Sequence, residues 1–149
     1  LMSVASICTR EVVTIQPDED LVAAARLMRE AHVGYLVVLD KEGTNKPVGV
    51  ITDRDIIVAV VACEVDPRSL TVGDVMSREL RVVQMDSPVS DAVGAMCQAG
   101  VRRAPVVNAD GTLAGVLSVA DVLDEVAAQL VNVAGSIRNE RRIERHTRP

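Results

Sequence analysis

The stretch that decides the fold is GVITDRDI at residues 49–56, because it recurs as GVLSVADV at residues 115–122. The repetition extends well beyond this motif. VASICTREV at residues 4–12 parallels VGDVMSREL at residues 72–80. The two copies align without a gap as far as Gly43 and Gly111, after which the second copy is two residues shorter. A duplication of this length predicts two similar units that face each other, with the functional site in the cleft between them.

Composition limits the class of protein. The chain has 149 residues and is 48% hydrophobic, yet it lacks Phe and Trp and has a single tyrosine, Tyr35. Its core must therefore be built from aliphatic side chains and Met, which suits layers of strands and helices. No apolar run approaches the roughly 20 residues that span a bilayer, and no signal pattern opens the chain. We therefore expect a cytoplasmic protein without a membrane contact.

The three cysteines are Cys8, Cys63 and Cys97, and no two form a CxxC pair. An odd number of unpaired thiols is typical of a reducing compartment, with a redox sensor as the alternative. The net charge is −5, but residues 131–149 carry +3, so the rest of the chain carries −8. Nucleic-acid-binding surfaces are basic, so this acidic body argues against such a function.

Each copy has the same local pattern. In the first, we predict strands at 12–15, 35–39 and 48–51, because these runs are short, β-branched and apolar. A helix should begin near Asp20, since Leu21, Ala24, Ala25, Met28 and Ala31 recur at helical spacing on one face. A second helix should cover 53–62.

The second copy repeats this order, with strands at 81–83, 104–107 and 113–117. Its first helix should bury Val89, Ala92, Val93, Met96 and Ala99, and its second should cover 119–131. The sequence therefore predicts a mixed α and β (α/β) fold of two β-α-β-β-α units. We assign 1–66 to the first repeat, 67–131 to the second, and 132–149 to a charged C-terminal helix or tail.

The recurring pattern Gly-h-h-[Thr/Ser]-x-x-Asp, in which h is hydrophobic, has two interpretations. Thr52 and Asp55, like Ser118 and Asp121, have the spacing of a helix capping box, in which both side chains bind amides at the helix start. The same spacing also places a hydroxyl, a carboxylate and a helix N-terminus at a cleft edge. Such a set can bind phosphate and the hydroxyls of a ribose. Spacing alone leaves both interpretations open.

The chain resembles a tandem CBS-domain pair, also called a Bateman module, over roughly residues 4–130. The resemblance is carried by VGDVMSR at residues 72–78, by APVV at residues 104–107, and by the Gly-h-h-[Thr/Ser]-x-x-Asp motif in both repeats. One motif alone would be weak evidence, but two at matching places in a duplication are strong. With no catalytic domain attached, the chain is similar to stand-alone bacterial members. The resemblance implies pseudo-two-fold packing of the repeats.

The resemblance also implies which residues meet. A main cleft would combine the motif of the first repeat with the first strand and pre-strand residues of the second: Thr52, Asp55, Leu80, Arg81, Arg102 and Arg103. Arg102 and Arg103 stand where related proteins contact phosphate, a role that suits guanidinium groups. Their alternative role is as solvated surface arginines.

A second, weaker cleft would contain Val12, Val13, Gly34, Tyr35, Arg54, Ser118 and Asp121. Gly34 and Tyr35 replace the two arginines there, which disfavours phosphate, and Arg54 is the candidate cation. Tyr35 would either stack on a base or fill the core.

Together, the resemblance implies a regulatory module that binds AMP, ADP, ATP or S-adenosylmethionine and responds by a conformational change. NAD is an alternative ligand, and a structural dimerisation module without a ligand is an alternative function. We expect a homodimer through helical faces and an effector protein that the sequence does not identify. No catalytic residues, catalytic cofactor or metal ligands are expected, because no catalytic or metal-binding spacing is present.

Overall fold

The computed structural model describes residues 2–147 and contains two three-stranded sheets, one in each repeat. The first repeat contains α1 (Val4–Ile7), β1 (Thr14–Ile15), α2 (Leu21–Ala31), β2 (Tyr35–Leu39), β3 (Pro47–Thr52) and α3 (Asp53–Ile56). The second contains α4 (Val72–Val75), β4 (Val83–Gln84), α5 (Val89–Ala99), β5 (Arg103–Val107), β6 (Leu113–Ser118) and α6 (Val119–Thr147).

Both sheets have the same topology. The short first strand pairs parallel to the second, and the second pairs antiparallel to the third. The long helix of each unit connects the parallel strands, as such a connection requires a crossover. The predicted mixed α and β fold of two β-α-β-β-α repeats is therefore confirmed.

Several elements differ in extent from the prediction, and β4, for example, spans Val83–Gln84 rather than 81–83. Strand β1 is limited to Thr14–Ile15 rather than 12–15. The predicted helix 53–62 changes from an α-helix to a π-helix at Ile57–Val61. The predicted helix 119–131 and most of the predicted tail form one helix, α6, which passes Gly135 without a break. Residues 1, 148 and 149 lie outside the described part of the chain.

Each of the two short helices that open the repeats packs into the core of the opposite repeat. Val4 of α1 is fully buried in the core of the second repeat, beside Val83 and Met96. Val72 of α4 is fully buried in the core of the first, beside Leu21. Backbone hydrogen bonds fix this arrangement, because Val4 donates to Ser87 at 3.0 Å and Val72 donates to Glu19 at 2.8 Å. Each repeat therefore completes the core of the other.

The segment that follows each short helix also pairs with a strand of the opposite repeat. Thr9 exchanges two backbone hydrogen bonds with Val116 of β6, and Ser77 does the same with Val50 of β3. This close approach explains the glycine that begins each motif. A Cβ added at Gly115 would lie 2.6 Å from the Thr9 carbonyl oxygen, and one at Gly49 would lie 2.7 Å from that of Ser77.

We predict that Gly115→Ala destabilises the protein, because the backbone of Thr9 must move to admit the new methyl group. Overpacking of this kind typically costs about 1–3 kcal/mol. Urea denaturation measures the free energy of unfolding. Gly94→Ala is the matched control, because an added Cβ there meets no atom within 4 Å and Ala favours the helix by about 0.5–1 kcal/mol. Equal stabilities for Gly115→Ala and the unchanged chain would contradict the role assigned to this glycine.

Candidate functional site

A cavity of about 350 Å³ lies between the two repeats. Its volume is within the range of about 300–1,000 Å³ that is usual for small-molecule sites. Both repeats contribute to its wall. The lining residues are Thr9, Glu11, Val12, Val13, His32, Val33, Gly34, Tyr35, Arg103, Val116, Ser118 and Asp121.

This cavity contains most residues of the predicted second cleft. Val12, Val13, Gly34 and Tyr35 of the first repeat meet Ser118 and Asp121 of the second. Two sequence-based assignments differ from this arrangement. Arg103 was assigned to the main cleft but lines this cavity, whereas Arg54 is outside the cavity lining on the exposed surface of α3. The cation of this cleft is therefore Arg103.

The two copies of the Thr/Ser-x-x-Asp motif differ in what their carboxylates bind. In the first repeat, the Asp55 carboxylate accepts a hydrogen bond from the Thr52 amide at 2.9 Å, and the Thr52 hydroxyl accepts one from the Asp55 amide at 3.2 Å. This is a complete capping box. In the second repeat, the Ser118 hydroxyl accepts a hydrogen bond from the Asp121 amide at 3.0 Å. The Asp121 carboxylate, however, accepts a long hydrogen bond of 3.5 Å from the Thr9 hydroxyl across the cavity.

This difference matters for ligand binding. The Asp55 carboxylate uses one oxygen in its short bond to the helix start, so it keeps fewer acceptor sites for a ribose than a carboxylate without such a bond. The Asp121 carboxylate has a longer and weaker bond, since hydrogen bonds weaken with distance beyond the usual 2.5–3.0 Å for O–H···O. Asp121 is therefore better prepared to accept hydrogen bonds from a ligand than Asp55.

Tyr35 and Arg103 contact each other at the junction of the repeats. The Arg103 guanidinium carbon lies 5.8 Å from the centre of the Tyr35 ring, within the range of a cation–π interaction. The two residues occupy equivalent positions of the duplication, so their contact lies on the pseudo-two-fold axis. Burial raises the pKa of the Tyr35 hydroxyl well above its ordinary value, although the Arg103 charge acts in the opposite direction. Tyr35 is therefore uncharged at neutral pH.

The remaining residues of the predicted main cleft are Thr52, Asp55, Leu80, Arg81 and Arg102. Thr52 pairs with Tyr35 across strands β2 and β3, so the first motif begins next to the axis. Leu80 and Arg81 follow Ser77, whose bridge to Val50 brings their segment alongside β3. The Arg102 side chain is exposed, and its carbonyl oxygen accepts a hydrogen bond from the Val119 amide at 2.9 Å.

Gly34 has a specific reason to lack a side chain. A Cβ there would lie 2.5 Å from the carboxylate oxygen Oδ2 of Asp53, the first residue of α3. The Gly34 carbonyl oxygen also accepts a hydrogen bond from the Asp53 amide at 3.0 Å. Gly34 is equivalent to Arg102 of the second repeat. In the first repeat, the Asp53 carboxylate occupies the space that a side chain at this position would enter.

Five cavity residues are absent from the sequence-based assignments: Thr9, Glu11, His32, Val33 and Val116. Thr9 and Glu11 were missed because the exchange of the opening segments was not foreseen. His32 follows the last residue of α2 and adopts a left-handed conformation with φ of 55°. That conformation ends the helix, and His32 also forms part of the cavity wall.

Among residues 2–147, no group of three or more His, Cys, Asp or Glu side chains is arranged to hold a metal ion. Within the same range, no helix combines the length and the apolar character that a membrane span needs.

The fold and the two motifs define a pair of CBS domains. The CBS-domain family profile matches residues 4–62 and 72–128, which is most of the chain. The chain therefore belongs to the CBS-domain family, and the predicted resemblance is confirmed.

Individual relatives agree with this assignment. The chain is 34% identical to the uncharacterized protein MK0525 of Methanopyrus kandleri, over 82% of this chain and 61% of that protein. It is 33% identical to the CBS domain-containing protein YhcV of Bacillus subtilis, over 82% of this chain and 84% of that one. A similar solved structure is the CBS domain protein PAE2072 of Pyrobaculum aerophilum complexed with AMP. It has a TM-score of 0.74 and 26% identity, over 85% of this chain and 99% of that chain.

We predict that Thr52→Ala destabilises the protein by about 0.5–2 kcal/mol, because the start of α3 loses its side-chain cap. Thr52→Ser, which keeps the hydroxyl, should retain most of the stability. The unfolding midpoint in urea gives the comparison. If Thr52→Ala and Thr52→Ser unfold at the same urea concentration, the capping hydrogen bonds do not stabilise this helix.

Proposed function

We propose that this CBS-domain pair is a regulatory module that binds an adenine nucleotide or a related adenosyl ligand in the cavity beside Ser118 and Asp121. One observation carries the proposal: a hydroxyl, a carboxylate with a weak hydrogen bond, a helix N-terminus and an arginine converge on a single cavity of about 350 Å³. The AMP complex of the related PAE2072 protein supports this class of ligand.

Each group has a distinct role in this proposal. The Asp121 carboxylate accepts hydrogen bonds from the ribose hydroxyls, and the weak bond from Thr9 is exchanged for them. The phosphate is held by the N-terminus of α6, whose dipole favours an anion, and by the Arg103 guanidinium. Val12, Val33 and Val116 supply an apolar surface for the base.

The cavity also bears on the choice of ligand. Arg103 is a cavity residue whereas Arg102 is not, which supports a mononucleotide such as AMP over NAD, whose pyrophosphate would use both arginines. Glu11 supports a second candidate. Its carboxylate would repel additional phosphates but attract the sulfonium of S-adenosylmethionine, so that ligand and AMP stand together ahead of ADP and ATP.

We propose the cleft formed by Thr52, Asp55, Leu80, Arg81 and Arg102 as the weaker site. This reverses the order of the two clefts inferred from the sequence, because the Asp55 carboxylate is already hydrogen-bonded in its own capping box.

The proposed function also includes a homodimer and a conformational change on ligand binding. Exposed apolar side chains on the helical side, including Ile57, Val58 and Val61, support a homodimer through helical faces. Ligand binding would then be transmitted to an effector protein in the cytoplasm. We propose this signalling role rather than catalysis, because the matching family is defined by its CBS domains and not by a catalytic domain.

We predict that Asp121→Ala weakens AMP binding more than Asp55→Ala does. A hydrogen bond to a charged group contributes about 1.5–3 kcal/mol, which corresponds to a loss of about 10- to 150-fold in affinity. Titration calorimetry with AMP measures the two dissociation constants, and Asp55→Ala serves as the control for a lost cap. A larger effect of Asp55→Ala would transfer the site to the other cleft. No binding of AMP, S-adenosylmethionine or NAD to the unchanged chain would favour a structural dimerisation module.

We also predict that Arg103→Ala weakens AMP binding while leaving uncharged adenosine almost unaffected, because the guanidinium binds the phosphate. Arg102→Ala is the matched control, because it removes an adjacent arginine that does not line the cavity. Raising the salt concentration should weaken AMP binding more than adenosine binding, because salt screens the charge pair. Equal losses for AMP and adenosine in Arg103→Ala would mean that Arg103 only supports Tyr35 and the cavity wall.

A further inference from the structure

His32 has a backbone conformation that residues other than glycine adopt uncommonly. It follows α2 with φ of 55°, in the left-handed region, and its amide donates to the Met28 carbonyl oxygen. The equivalent residue of the second repeat, Gly100, follows α5 with φ of 67°. Glycine adopts this conformation without the steric cost that a Cβ brings, and it is the usual residue at such a helix end. The helix end alone therefore does not require a histidine in the first repeat.

The two equivalent positions differ in their surroundings. His32 lies in the wall of the cavity next to Val33, whereas Gly100 is not a lining residue. The His32 side chain is exposed, and among residues 2–147 it has no hydrogen-bond or ion-pair partner. Exposed side chains change rotamer within picoseconds to nanoseconds. The imidazole is therefore free to turn over a molecule that occupies the cavity.

The composition of the chain leaves few rings on which a base can stack. Phe and Trp are absent, and the planar rings belong to Tyr35 and two histidines, His32 and His146. The Arg103 guanidinium lies over the Tyr35 ring. His146 lies near the end of α6, where its Nδ1 is 2.8 Å from the Arg142 carbonyl oxygen, and it does not line the cavity. His32 is thus the residue that combines a place in the cavity wall with an unpartnered ring.

The charges of the cavity wall place a base, rather than a phosphate, beside the first repeat. Among the described lining residues of that repeat, Glu11 is the acidic one and no lysine or arginine is present. The second repeat supplies Arg103 and the start of α6. A phosphate is attracted to the arginine and the helix start and is repelled by Glu11. The base is then left to the wall that contains His32 and Val33.

We propose that His32 stacks on the base of the adenosyl ligand, a role that rests on the proposed function. Nucleic-acid bases stack on the rings of Phe, Tyr, Trp and His, and this contact does not depend on a phosphate. The ring of His32 adds a planar contact to the apolar surface that Val12, Val33 and Val116 offer to the base.

Titrations with AMP and with adenosine test this role, because the two ligands share the base and differ in the phosphate. His32→Asn removes the ring and introduces a residue that tolerates the left-handed conformation. Calorimetry should show the same loss of affinity for both ligands, about 5- to 150-fold, which is the range expected for one stacked base. Arg103→Ala, by contrast, should weaken AMP binding alone.

Two further variants separate the ring from the helix end. His32→Phe keeps an aromatic ring and should retain most of the affinity for both ligands. His32→Gly should lose as much affinity as His32→Asn, yet unfold at a urea concentration no lower than the unchanged chain, because glycine suits the left-handed conformation.

Unchanged affinities in His32→Asn and His32→Gly would overturn the proposal and leave His32 as the end of α2. A loss confined to AMP would also overturn it, since His32 would then contact the phosphate. If the unchanged chain bound neither AMP nor adenosine, the proposed function itself would fail, and the stacking role with it.

Discussion

The structure depends on the exchange of the opening segments between the two repeats. Val4 and Val72 each complete the core of the opposite repeat, and the segments that follow them pair with β6 and β3. Only glycine leaves room for this pairing, which explains why Gly49 and Gly115 begin the two motifs. The exchange also places Thr9 beside Asp121, so the same contact that joins the cores shapes the cavity.

The sequence was sufficient to predict the repeats, their β-α-β-β-α order and the hydrogen bonds of Thr52 and Ser118, because these are set by local periodicity and spacing. It was not sufficient to predict the exchange. A four-residue helix such as α1 has one buried side chain, and that pattern does not indicate which core receives it. The helical C-terminus, by contrast, was expected, because Gly135 disfavours a helix interior but does not by itself end one, and α6 passes it without a break.

The candidate site, too, could be predicted only in part from the sequence. Thr52 with Asp55 and Ser118 with Asp121 have identical spacing, so the sequence could not show that one carboxylate closes a capping box while the other faces Thr9. Nor could it assign Arg103 to a cleft. That arginine lies on the pseudo-two-fold axis, where a small change in side-chain direction decides which repeat's motif it approaches.

The position of Tyr35 and Arg103 on the axis has a consequence for how the two clefts work together. The pair lines the cavity beside Asp121, and Tyr35 also pairs with Thr52, the first residue of the other motif's capping box. A proposed ligand that holds the Arg103 guanidinium beside Asp121 would keep that charge from serving a ligand beside Thr52. If both clefts bind ligands as proposed, occupancy of one would lower the affinity of the other, and linkage requires that effect to be mutual. A single chain with this arrangement would favour half-occupancy, and so an asymmetric state, over a wide range of ligand concentration.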